Sequence, residues 1–96
     1  LFITISYYII LVYIIYKKRG LDIVEIVKIK TDYITLGQFM KFANLAAGGG
    51  DIKALLAMKT IKVDGELENR RGKKLYPGTV VEIEGEGIYR IEHAEN

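Results

Sequence analysis

The sequence has no cysteine, one histidine, one serine and one proline. Without cysteine there is no disulfide scaffold, no Cys-type zinc site and no thiol nucleophile, and a reducing compartment is permitted. The lone histidine, His93, stands near the end of the chain, and the lone serine, Ser6, lies inside a hydrophobic run. A Ser-His-Asp or Cys-His arrangement therefore has no components to draw on. Metal ligands are scarce as well: Glu82, Glu84 and Glu86 alternate along one stretch, the spacing of a solvated strand face rather than of a cage. A non-enzymatic protein with no cofactor and no metal is expected.

What is present is unevenly spread over the 96 residues. Residues 1–16 are apolar or aromatic at 14 positions and hold four of the seven tyrosines. Lys17-Lys18-Arg19-Gly20 follows, so the first twenty residues carry +3 while residues 21–96 carry 11 basic and 12 acidic groups, a net of −1. Three readings compete for residues 1–20. A membrane helix of sixteen residues at about 1.5 Å each reaches only roughly 24 Å of a ~30 Å hydrocarbon core, with the basic run holding the rest on the cytoplasmic side. A secretory signal would need a basic n-region and a small-residue cleavage site, and neither is there. The third reading is an over-extended gene start, with translation beginning at Leu21. The chain accordingly divides into an extension over 1–20 and one domain over 21–96.

Within the domain, residues 22–30 (DIVEIVKIK) are rich in β-branched residues with interspersed charge, the pattern of an edge strand. Thr35 and Gln38 fit a capping box. The spacing of Leu36, Phe39, Met40, Ala43 and Ala46 predicts a helix continuing to a stop at Gly48-Gly49-Gly50. Asp51 is expected to cap a second helix, with Ile52, Leu55, Leu56 and Met58 on its apolar side and Lys53 in its first turn, where a cation opposes the helix dipole. From Thr60 the period falls to two. Asp64-Gly65, Pro77-Gly78 and Gly85–Gly87 punctuate three or so short strands.

The charge pattern is more informative than the catalytic inventory. Between Lys53 and Lys74 lie seven basic residues, Lys53, Lys59, Lys62, Arg70, Arg71, Lys73 and Lys74, against Asp64, Glu66 and Glu68. Residues 82–95 reverse the balance, with five glutamates against Arg90. Arg70-Arg71-Gly72-Lys73-Lys74 is a compact cluster of the kind that attracts phosphate backbones. The glycine triplet is not a Walker loop, because Gly50 is followed by Asp51. Few aromatics lie near the patch, Tyr76 being the candidate stacker, so contact with a phosphate backbone is expected over base reading.

Taken in order, Ile34-Thr35-Leu36-Gly37-Gln38-Phe39, Gly49-Gly50 with Lys53, Ile61-Lys62-Val63-Asp64-Gly65, Asn69-Arg70-Arg71-Gly72-Lys73-Lys74-Leu75 and Pro77-Gly78-Thr79-Val80-Val81 closely resemble the ribosomal-protein-S4-like RNA-binding domain family, in its small stand-alone YaaA type. The resemblance covers about residues 31–92. It implies an α+β fold, two short helices packed on a small, mostly antiparallel sheet. It also implies a cytoplasmic protein that binds structured RNA, with ribosomal RNA or tRNA as candidates and the ribosome as a candidate partner. Carried over by position, the RNA-binding residues would be Gly49, Gly50, Lys53, Lys62, Arg70, Arg71, Lys73 and Lys74. Two departures from the family pattern are Gly48, where serine is usual, and Asp64, where asparagine is common. The alternative is a protein-interaction module using the acidic strand face, tethered to a membrane through residues 1–16.

Overall fold

Within β1 (Val24–Ile29), the buried Val27 and Ile29 alternate with the exposed Ile26 and Lys28, giving the predicted strand one face on the core. In the computed structural model, which describes residues 24–95 and four helical residues of the N-terminal segment (Leu11, Val12, Ile14 and Ile15), β1 is indeed an edge strand. Its neighbour is β7 (Gly87–His93), at the other end of the domain, and the two run parallel from Val24↔Ile88 to Ile29↔His93. The sheet continues through β6 (Val80–Ile83), β3 (Ile61–Val63) and β4 (Glu66–Leu67), in the order β1-β7-β6-β3-β4. Each of these later pairings is antiparallel. A second, two-stranded sheet pairs β2 (Ile34–Thr35) with β5 (Lys74–Leu75), also antiparallel. Two-residue strands are too short to show a period, so both escape a reading of the sequence.

The helices carry the main corrections to the sequence reading. Helix α1 (Leu36–Phe42) starts on the expected capping box: the Gln38 N–H donates to Thr35 Oγ1 at 3.2 Å and the Thr35 N–H donates to Gln38 Oε1 at 2.9 Å. It ends six residues before the glycine triplet. Asn44 takes the left-handed conformation (φ 60°), and the Leu45 and Ala46 N–H groups donate back to the Met40 carbonyl. Asparagine is the residue other than glycine that best tolerates this conformation, and here it supplies the stop. Ala43, Leu45 and Ala46 still pack on the core, but from the connecting loop.

Helix α2 (Gly49–Met58) starts three residues earlier than expected, with Gly48 as its cap and Gly49 and Gly50 inside its first turn, and Met58, expected on the apolar side, is exposed at its end. Asp51 is therefore not the cap. Its Oδ2 accepts the Ala47 N–H at 3.1 Å, tying the entering chain to the first turn. Lys53 falls in the second turn, where its conflict with the helix dipole is weaker than expected.

Leu36, Phe39 and Met40 of α1 and Ile52 of α2 pack on the face of the large sheet made by Val27, Ile29, Ile61, Val63, Val81, Ile83, Tyr89 and Ile91. Phe39 meets Tyr89 edge to face at 5.2 Å. The fold is the expected α+β arrangement of two helices on a mostly antiparallel sheet. Most of residues 1–20, and with them the membrane-anchor and start-site readings, lie outside the described residues. Among the described residues no helix is long and apolar enough to cross a membrane.

Candidate nucleic-acid interface

A helix start leaves backbone N–H groups without partners in the helix, and α1 solves this with the chain of the basic cluster. The Leu36 N–H donates to the Lys73 carbonyl at 2.8 Å and the Gly37 N–H to the Arg71 carbonyl at 2.9 Å. A Cβ at Gly37 would sit in ordinary contact with Arg71, 3.4 Å from its oxygen and 3.6 Å from both its Cβ and Nε, so the loop packs closely on the helix start. The backbone of the basic loop is thus fastened to α1 while the Arg71 side chain stays exposed.

Glu68 shapes the approach to this loop. Its carboxylate accepts the Asn69 and Arg70 N–H groups at 3.1 and 3.0 Å, and the Arg70 guanidinium through Nε and Nη2, each at 3.0 Å. The hydrogen bond from the Arg70 side chain leads in holding the Glu68 carboxyl down at about 2, and the same pairing raises the Arg70 pKa. Only 9% of the Glu68 side chain is exposed, against 71% for Arg70. Arg70 accordingly serves the shape of the loop first, with its charge already matched.

On α2, residues 49, 53, 56 and 57 follow helical spacing and share one side. Gly49, Lys53, Leu56 and Ala57 line a cleft of about 450 Å³ whose other wall is Asn69 and Arg71. The helix and the loop thus bring two cations, Lys53 and Arg71, to one opening with no carboxylate among its lining residues. The start of α2 opens beside it. The Ile52 N–H is bonded to the Gly48 carbonyl, and no side chain caps the N–H groups ahead of it. A Cβ at Gly48, Gly49 or Gly50 would meet nothing within 4 Å, so no packing contact accounts for three glycines at this point.

The family model described as the S4 domain matches residues 27–92. This chain belongs to the S4-domain family. A protein of Bacillus subtilis (strain 168), named probable ribosome maturation protein RlbA, is 48% identical over 65 residues, which is 68% of this chain and 92% of that protein.

In this S4 domain the predicted residues divide into groups. Gly49, Lys53 and Arg71 meet at the cleft, with Gly50 beside them at the helix start. Lys73 is half-buried, and Lys74 turns toward a neighbouring aromatic pair, its Nζ 4.9 Å from the centre of the Tyr33 ring. Lys62 stands apart on the sheet, between the buried Ile61 and Val63 and in register with Glu82 and Leu67. Lys59, counted in the basic run, also lies elsewhere, its Nζ 3.1 Å from where a Gly85 side chain would begin. Asp64 is occupied by the fold: its Oδ1 accepts the Val80 N–H at 2.9 Å. Asn69, Glu68 and Gly37 were not singled out as site residues. Asn69 opens the matched Asn69–Leu75 string, whereas the parts played by Glu68 and Gly37 depend on contacts made only in the folded chain.

Proposed function

We infer that this chain is a cytoplasmic, non-catalytic RNA-binding protein that takes structured RNA on the face formed by the start of α2 and the loop at 69–74. The observation that carries the reading is the cleft in which Lys53 and Arg71, from separate elements, flank Gly49 and Asn69. Cations facing each other across a groove suit a folded phosphate backbone. The uncapped N–H groups of α2 add donors for a phosphate oxygen, and glycines there let the backbone come close. The name of the Bacillus subtilis relative, a probable ribosome maturation protein, supports ribosomal RNA or an assembling ribosomal particle as the setting. Membership of the S4-domain family supports the RNA reading over a protein-interaction module.

The test is binding of the full chain to a structured ribosomal RNA fragment across a salt series. Several phosphate contacts give a steep fall in affinity with salt, and each cation removed lowers the slope by about 1. Lys53→Gln with Arg71→Gln should weaken binding and flatten the salt dependence. Lys28→Gln with Lys30→Gln, on and beside the distant strand β1, should do neither. Absence of binding at low salt, or equal effects of the two pairs, rejects the reading.

A further inference from the structure

Resting on the RNA-binding reading, we propose that Tyr76, braced by Tyr33 and Lys74, is a stacking site for one unpaired base of the bound RNA. Tyr76 is 50% exposed and Tyr33 38%, yet their rings stand only 5.7 Å apart, tilted by 51°. The Lys74 ammonium lies over the Tyr33 ring, within cation–π range. With that face of Tyr33 covered and the rings tilted, a planar base can lie flat on Tyr76 while Tyr33 borders it and Lys74 reaches the adjoining phosphate.

The stacking ring grows from a fixed backbone. The Tyr76 N–H donates to Thr79 Oγ1 at 3.2 Å, and the Tyr76 carbonyl accepts the Thr79 N–H at 3.0 Å. Thr79 is itself buried, and Gly78, with φ 95°, closes the turn. The Tyr33 backbone is tied in the same way, its carbonyl accepting the Thr31 hydroxyl at 2.7 Å. Aromatic rings held in place at the surface present a stacking face at little entropic cost. Lys74 follows Lys73, whose carbonyl is bonded to α1, so the pair continues the same loop that walls the cleft. A base inside a duplex offers only its edges, so a ligand for this ring must be an unstacked nucleotide such as a bulge or loop base.

Two fluorescein-labelled hairpin RNAs, identical except for a single bulged 2-aminopurine, provide the probe. The full chain should bind the bulged hairpin about tenfold more tightly than the unbulged one, the loss expected for one base–aromatic stack. Tyr76→Leu should abolish that preference, Tyr76→Phe should retain it, and neither should change binding of the unbulged hairpin. The 2-aminopurine emission should be quenched by the wild type and not by Tyr76→Leu. Equal wild-type affinity for the two hairpins, or equal weakening of both by Tyr76→Leu, overturns the stacking site while leaving the RNA reading intact. Failure of the wild type to bind either hairpin at low salt rejects the RNA reading and the stacking site together.

Discussion

Replacing Ile52 tests how α2, and with it half of the cleft, is held to the domain. Ile52 is the one fully buried side chain of α2 and lies next to Lys53 in the chain. Ile52→Ala removes three buried carbons, about 2.4 kcal/mol at ~0.8 kcal/mol each, and the remaining cavity adds to that. A loss of about 3 kcal/mol is therefore expected for Ile52→Ala and about 1 kcal/mol for Ile52→Val. A domain of this size has only roughly 4–10 kcal/mol in total, so both losses are large enough to measure and the milder variant stays folded. Urea unfolding followed by circular dichroism reads them directly. At a slope near 1 kcal/mol/M, Ile52→Val should move the midpoint down by about 1 M and Ile52→Ala by about 3 M. Ile52→Val should leave RNA affinity unchanged, since the cation positions survive. A loss under about 1 kcal/mol for Ile52→Ala would refute the claim that this side chain anchors the helix.

Other outcomes follow from the same contacts. Thr35→Ala should cost about 1 kcal/mol, seen as a fall in Tm of about 4–8 °C, and Thr35→Ser should restore most of it. Gly49→Ala with Gly50→Ala should raise the Tm, because alanine favours the helix and has room, yet weaken RNA binding by filling the opening. A fall in Tm would show that the fold itself requires those glycines. Because the native Glu68 pKa is depressed from 4.5 to about 2, its contribution to stability is complete above the unfolded value and is lost as pH falls through that window. Glu68→Gln should lose this component of the acid dependence; identical acid unfolding of variant and wild type below pH 4.5 would contradict it.

Local rules made much of this fold legible. The capping box of α1, the Asp64-Gly65 and Pro77-Gly78 turns, the β-branched run of β1 and the alternation of β3 and β6 all depend on neighbours within a few residues. The stop of α1 did not follow from the sequence, because an obvious glycine triplet outweighed Asn44, whose left-handed conformation is set by the following loop. Nor did the parallel pairing of β1 with β7, a contact across the whole domain that no local period encodes. The candidate site divides along the same line. Charge clustering pointed to the loop, while the tertiary fold sent Lys53 and Arg71 to one cleft, engaged Arg70 with Glu68, and left Lys62 on the sheet.

The most direct test of the account is an amide chemical-shift titration of the full chain with the structured ribosomal RNA fragment. The uncapped start of α2 and the loop fastened to α1 predict the largest shifts at Gly49, Gly50 and Asp51 and across Asn69–Lys74, with little change in the acidic turn at Glu84–Glu86. Shifts centred on that acidic turn and the neighbouring strands, with the start of α2 unmoved, would contradict it.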